Sequence, residues 1–110
     1  MLNQVVLVGR VKEKPKVHTT ENDKTVISVL IGVERSLKNA DGVHETDFIK
    51  CVLWNDSVDT IKWCRKGDLI GVKGRIQTSR LGKKDSIEVI VEKFSYFLSE
   101  SQLPKKQGDK

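Results

Sequence analysis

The chain has 110 residues, 37% of them hydrophobic and 32% charged, with 20 Lys plus Arg against 15 Asp plus Glu and a net charge of +5. That size suits one domain with one core, and no apolar run approaches the ~20 residues a membrane span needs, so a soluble globular protein without a membrane partner is expected. The basic excess suits a polyanionic partner, although many ordinary domains carry as much.

The opening Met1-Leu2-Asn3-Gln4 has no charged n-region, and the apolar run at 5–8 is too short for a signal-peptide core, so a cytoplasmic protein is expected. Short β-rich runs then recur with turn signals between them. Residues 4–12, QVVLVGRVK, form the first, with Gly9 marking a bulge or bend. Pro15 limits any continuation to an edge or a new short strand, and Asn22-Asp23-Lys24 reads as a turn. Residues 25–34, TVISVLIGVE, read as a strand buried on nearly both faces, and residues 36–44, SLKNADGVH, as a projecting hairpin loop. The third strand is 46–54, TDFIKCVLW. Asn55-Asp56-Ser57 then supplies cap candidates for a short helix to about Cys64, which Arg65-Lys66-Gly67-Asp68 ends. The fourth strand, 69–78, has Gly71 and Gly74 inside it; Leu81-Gly82-Lys83-Lys84 is a tight connection to the fifth, 86–98. Three strands, a short helix and two strands, with glycines where a sheet must bend, match the all-β, five-stranded Greek-key barrel called the OB-fold. Residues 1–98 form that domain, and the polar stretch 99–110 is expected to be a flexible tail.

The third strand carries the most functional information, because successive side chains alternate faces. Ile49, Cys51 and Leu53 make one apolar face; Phe48, Lys50, Val52 and Trp54 make the other. Two large aromatics with a lysine between them can stack bases and meet phosphate without a preferred sequence. The same pattern fits rings packed under a loop or at a subunit contact. On the fourth strand Ile70, Val72, Gly74 and Ile76 share one face, while Lys73, Arg75 and Gln77 share the other. Arg80, Lys83 and Lys84 extend this basic row, and Arg35 and Lys38 add charge near the second loop. Such a row is usually just a solvated face; beside an aromatic face it becomes a candidate phosphate track. Trp63, near the end of the short helix, reads as a packing residue. Of Tyr96 and Phe97, on opposite faces, at least one should pack in the core or an interface.

Catalysis finds little support. His18 and His44 stand alone in apparent loops, no paired-carboxylate or nucleophile set stands out, and no glycine-rich phosphate loop is present. Cys51 and Cys64 match no zinc pattern and read as buried thiols, so neither metal nor cofactor is expected.

Residues 1–10, MLNQVVLVGR, 33–54, VERSLKNADGVHETDFIKCVLW, and 65–78, RKGDLIGVKGRIQT, resemble the opening strand, second loop with third strand, and fourth strand of the bacterial and phage single-stranded DNA-binding proteins. The resemblance covers 1–98 and is specific in combination. It implies an OB-fold, usually a homotetramer, that protects single-stranded DNA in replication, repair and recombination. Phe48 and Trp54 match two of that family's base-stacking positions. Two further positions, commonly aromatic there, are Leu37 and Leu81 here, which offer contact area without a π face. The hairpin between the fourth and fifth strands is several residues shorter than usual. The family's acidic, apolar C-terminal tip has no counterpart in 104–110, PKKQGDK, so recruitment of proteins through such a tip is not expected. The main alternative is an OB-fold adaptor of the primosome type, acting through protein contacts; an RNA-binding cold-shock-like module shares the barrel but lacks the expected cluster of aromatics on adjacent strands.

Overall fold

A computed structural model of the chain describes residues 1–54, 61–81 and 84–102, with backbone only at 80, 81, 84 and 85. Its strands are β1 (Val5–Val11), β2 (Lys16–Thr19), β3 (Thr25–Lys38), β4 (His44–Trp54), β5 (Leu69–Leu81) and β6 (Lys84–Leu98), and a 3-10 turn, Glu100–Gln102, comes last. The sheet order is β1-β5-β6-β4-β3-β2, and β1 also pairs with β3. That extra pairing closes β1, β5, β6, β4 and β3 into the expected five-stranded barrel. The strand beyond Pro15 is β2, short and outside the closed ring, paired only with β3 from Lys16↔Ser28 to Thr19↔Thr25.

Closure depends on β1 changing partners. Arg10 is opposite Leu69 on β5 and also opposite Gly32 on β3. A Cβ on Gly9 would run into the Gly32 carbonyl oxygen, so only a residue without a side chain lets β1 cross this close to β3. On the other side, β4 and β6 pair in parallel at Cys51↔Val89 and Val52↔Ile90.

The inward positions of each strand meet in one core. Ile27, Val29 and Ile31 come from β3, Cys51 and Leu53 from β4, Ile70 and Val72 from β5, and Val89 and Val91 from β6. Ile61 and Cys64, from the segment between β4 and β5, join them. Each buried Ile, Leu or Val contributes about 1.5–3 kcal/mol relative to exposure. Both cysteines are free and buried. Burial pushes the Cys51 thiol up to about 12, and burial with the nearby Asp68 carboxylate pushes Cys64 up to about 11, so neither presents a thiolate.

Two sequence expectations change, and a third is only partly visible. The loop expected over 36–44 is confined to 39–43, because β3 runs to Lys38 and β4 begins at His44. Asn39 tightens the remaining turn: its side-chain carbonyl accepts from the Asp41 and Val43 amides at 2.9 and 3.0 Å, with Gly42 at φ 75°. Ile76, assigned to the core face of β5, is 46% exposed. It lies where β5 and β6 leave the barrel as a two-stranded arm, paired with each other out to Leu81↔Lys84, and only the Asn3 side chain closes its backbone from the β1 side. The short helix falls largely on 55–60, outside the described residues. From Ile61 the chain makes a turn, closed by the Cys64 amide donating to the Ile61 carbonyl at 3.0 Å.

The chain after β6 is pinned. The buried Asp68 carboxylate accepts from the Arg65 amide at 2.9 Å and from the Glu100 amide at 3.2 Å, which ties the 3-10 turn to the loop before β5.

Candidate nucleic-acid interface

The alternation read in the third strand holds on β4. Cys51 and Leu53 are buried inward, while Phe48 and Trp54 on the outer face are 53% and 45% exposed. At about 3.3 Å per residue, the two rings are attached about 20 Å apart along one strand. Phe48 is opposite Gly32, where a Cβ would come within 3.1 Å of the ring, so the glycine gives the ring a flat bed on β3. The Lys12 ammonium stands 3.9 Å from the ring centroid, a cation–π contact. Trp54 is opposite Val26, which is in turn opposite His18 on β2. Between the rings, Val52 is buried and the Lys50 ammonium lies 3.6 Å from the buried Glu88 carboxylate of β6.

Two basic clefts flank this row. One, about 390 Å³, brings Phe48 together with Arg10, Lys12 and Lys66, and Glu100 of the pinned C-terminal turn stands at its rim. The next joins Lys14, Lys16 and His18 to Lys50 across the outer face of β3. Lys12, Lys14, Lys16 and His18 were not singled out from sequence. Their signal was present, however: they recur at every second position, the period of a strand face.

The residues named from sequence divide into groups. Phe48, Lys50 and Trp54 share one surface. Arg35 instead forms a fork with Asp47 at 3.0 and 2.9 Å and reaches Glu45 at 3.2 Å. The hydrogen bond and charge of Asp47 raise the Arg35 pKa above its ordinary value, and the same hydrogen bond holds Asp47 below the usual carboxylate range. This fork bridges β3 and β4 where their register shifts between Glu34 and Lys38. Leu37, 82% exposed, and Lys38 stand near the tip of the β3–β4 hairpin. On β5 the expected adjacency to the aromatic strand is indirect, because β6 lies between β5 and β4. Arg75 lines up with Val52 through Ile90 of β6, donates to Gln77 at 2.7 Å, and has its Nε 3.8 Å from Glu92. Lys73 stands farther round the barrel, opposite Val6 of β1 and Lys93 of β6. Lys83 and the side chains of Arg80, Leu81 and Lys84 lie outside the described residues.

One other aromatic differs from expectation. Trp63, read as a packing residue, is 76% exposed. Tyr96 and Phe97 are each about half exposed, and the Phe97 ring covers Gly71 on the outer wall of β5. Among the described residues, no helix is long and apolar enough to cross a membrane.

Comparison with known proteins agrees with this geometry. The model of the "Single-strand binding protein family" matches residues 2–97. Single-stranded DNA-binding protein B of Bacillus subtilis (strain 168) is 41% identical over 92 residues, covering 83% of this chain and 81% of that protein. Single-stranded DNA-binding protein 1 of Lactococcus lactis subsp. lactis (strain IL1403) is 40% identical over 92 residues, and the match spans 61% of its length. In fold, the chain is similar to the SSB of Plasmodium falciparum solved in complex with ssDNA, with a TM-score of 0.77, 22% sequence identity, and coverage of 88% of this chain and 96% of that one.

Proposed function

Because this chain belongs to the single-strand binding protein family, we propose that it holds single-stranded DNA, without catalysis and with little regard to sequence, on the outer face of β3 and β4. The observation that carries this reading is the pair of half-exposed rings, Phe48 and Trp54, on one strand face, with clefts lined by Arg10, Lys12 and Lys66 and by Lys14, Lys16 and Lys50 beside that face. Unpaired bases stack on the rings, and a duplex, whose bases are already stacked on each other, gains nothing from them. Lys12 swings off the Phe48 ring when a base arrives, and its ammonium then meets the adjacent phosphate. Lys14, Lys16 and Lys50 continue the backbone path toward Trp54. Lys50 also offsets the charge of Glu88, which would otherwise repel a phosphate from this face.

The binding domain is residues 1–98, with 99–110 a polar extension, and it works in the cytoplasm, protecting exposed strands in replication, recombination or repair. Its assembly is a homotetramer formed through the barrel. Val6, Val8 and Phe97 support this: they leave 67%, 49% and 47% of their surfaces open on the wall of β1, β5 and β6.

The test is fluorescence anisotropy of a labelled homopyrimidine oligonucleotide, and of a duplex of equal length, at two salt concentrations. Preference for the single strand, falling steeply with salt as counterions are released, is expected. Equal affinity for both forms, or affinity indifferent to salt, would remove this reading and leave a protein-contact adaptor.

A further inference from the structure

Trp63 is the most exposed aromatic among the described residues, at 76%. An isolated exposed ring needs no explanation, but this one is not isolated. Among the described residues, the depression around it is lined by Lys14, Lys62, Arg65, Lys66 and Cys64. Asp68, five residues beyond Trp63, is buried and turned to the Arg65 and Glu100 amides, and Asp59, four residues before Trp63, lies outside the described residues. The depression is also continuous with the two basic clefts beside β4. Lys66 lines both it and the Phe48 cleft, and Lys14 lines both it and the cleft of Lys16, His18 and Lys50.

We propose that Trp63 and the cations around it form a third stacking subsite, which takes the single strand where it leaves Phe48 and turns round the end of the barrel. This rests on the DNA-binding role of the β3–β4 face and extends it. Lys14, Arg65 and Lys66 beside an open ring suit alternating phosphates and bases better than any apolar partner, and an aromatic offered to solvent beside cations is the pattern already seen at Phe48. Lys66 and Lys14 are the hinges of the path, each able to hold a phosphate between one ring and the next. The subsite engages only strands long enough to occupy Phe48 and Trp54 first.

The experiment compares the parent with Trp63→Ala by anisotropy, using labelled thymidine oligonucleotides of about 5 and about 16 nucleotides, the range of OB-fold site sizes. Trp63→Ala is expected to weaken the longer strand roughly fivefold or more, the usual effect of a lost stack, and to leave the shorter one unchanged. Loss of affinity for both lengths alike, or for neither, overturns the subsite. A second arm uses Trp54→Phe, which keeps a ring at that position and makes Trp63 the only tryptophan. Its fluorescence should be quenched as the longer oligonucleotide binds. Full binding by anisotropy with unchanged fluorescence overturns the proposal, as does quenching by an acidic peptide but not by the oligonucleotide, which would assign the patch to a protein partner. If the parent binds neither oligonucleotide, the failure belongs to the underlying DNA-binding reading, and the subsite falls with it.

Discussion

The barrel exposes apolar side chains on two walls, and their neighbours differ. On the wall of β3 and β4, two open rings are set about 20 Å apart along one strand, and the clefts beside them are lined by Arg10, Lys12, Lys14, Lys16, Lys50 and Lys66. On the wall of β1, β5 and β6, Val6, Val8 and Phe97 line one shallow depression, with Lys73 and Lys93 at its edge. Rings separated by cations cannot pack against a flat protein surface without stranding charge, but they match the alternation of base and phosphate. A run of aliphatic side chains offers no hydrogen bonds and no π face beyond Phe97, and suits another protein surface, such as a second copy of the same wall. Exposed apolar area alone therefore says little; what surrounds it separates a ligand face from an assembly face.

The largest effect should come from a charge on the assembly wall. Val6→Asp would leave a carboxylate in an apolar contact, a cost of about 3–5 kcal/mol, while in a lone subunit Lys73 on the next strand accommodates it. Light scattering should show the assembly falling to smaller species with the fold intact. An unchanged mass would mean this wall is not an interface.

Next come the rings. Phe48→Ala and Trp54→Ala should each weaken single-strand binding by about 1–3 kcal/mol. Both side chains are about half exposed, so thermal melting should stay close to the parent's. Unfolding with affinity preserved per folded molecule would turn the rings into packing residues and erase the contrast between the walls.

A smaller change is expected from Lys16→Ala. Removing one phosphate contact should lower the slope of log affinity against log salt by about 0.7 for a single strand. The same substitution at Lys93, on the other wall, should leave the slope alone. Equal slopes in both variants would place the backbone path elsewhere.

The finest test lies at the β3–β4 hairpin. Leu37→Trp should tighten binding modestly for any base composition, because it adds a π face near the hairpin tip. The effect depends on the fork of Arg35 and Asp47 bridging the two strands. Asp47 titrates lower folded than unfolded, so its contribution is present above the ordinary carboxylate range and is lost as pH falls through its folded value. Amide exchange in the hairpin should accordingly quicken in acid relative to the barrel, and Asp47→Asn should remove that difference.

Much of this was legible in the sequence where period and glycine agree. The alternation of β4 gave both the core face and the two rings, and Gly9 and Gly74 stand where a neighbouring strand comes too close for a side chain. Reading failed where tertiary pairing overrode local signals. Turn-forming residues in 36–44 hid strand that the Arg35 fork extends across. Ile76 kept core parity but lay past the end of the barrel, a position no period reveals. Lys12 to His18 were passed over because Pro15 breaks a strand pattern, yet the lysines on either side of it line a shared surface. Lys73 and Arg75 were grouped with the aromatic strand on the assumption that neighbours in sequence are neighbours in space; the parallel β4–β6 pairing inserts a strand between them.

The pinning of Glu100 by Asp68 sets an anchor point for the chain beyond Gln102. Since Glu100 lines the Phe48 cleft, any extension is tethered beside bound DNA from its first residue. A tether that short converts weak encounters into intramolecular ones, with effective concentrations that reach millimolar for short flexible linkers. Charged side chains following the anchor within a few positions would then meet a strand held in that cleft as neighbours, so substitutions there would change how tightly the strand is kept.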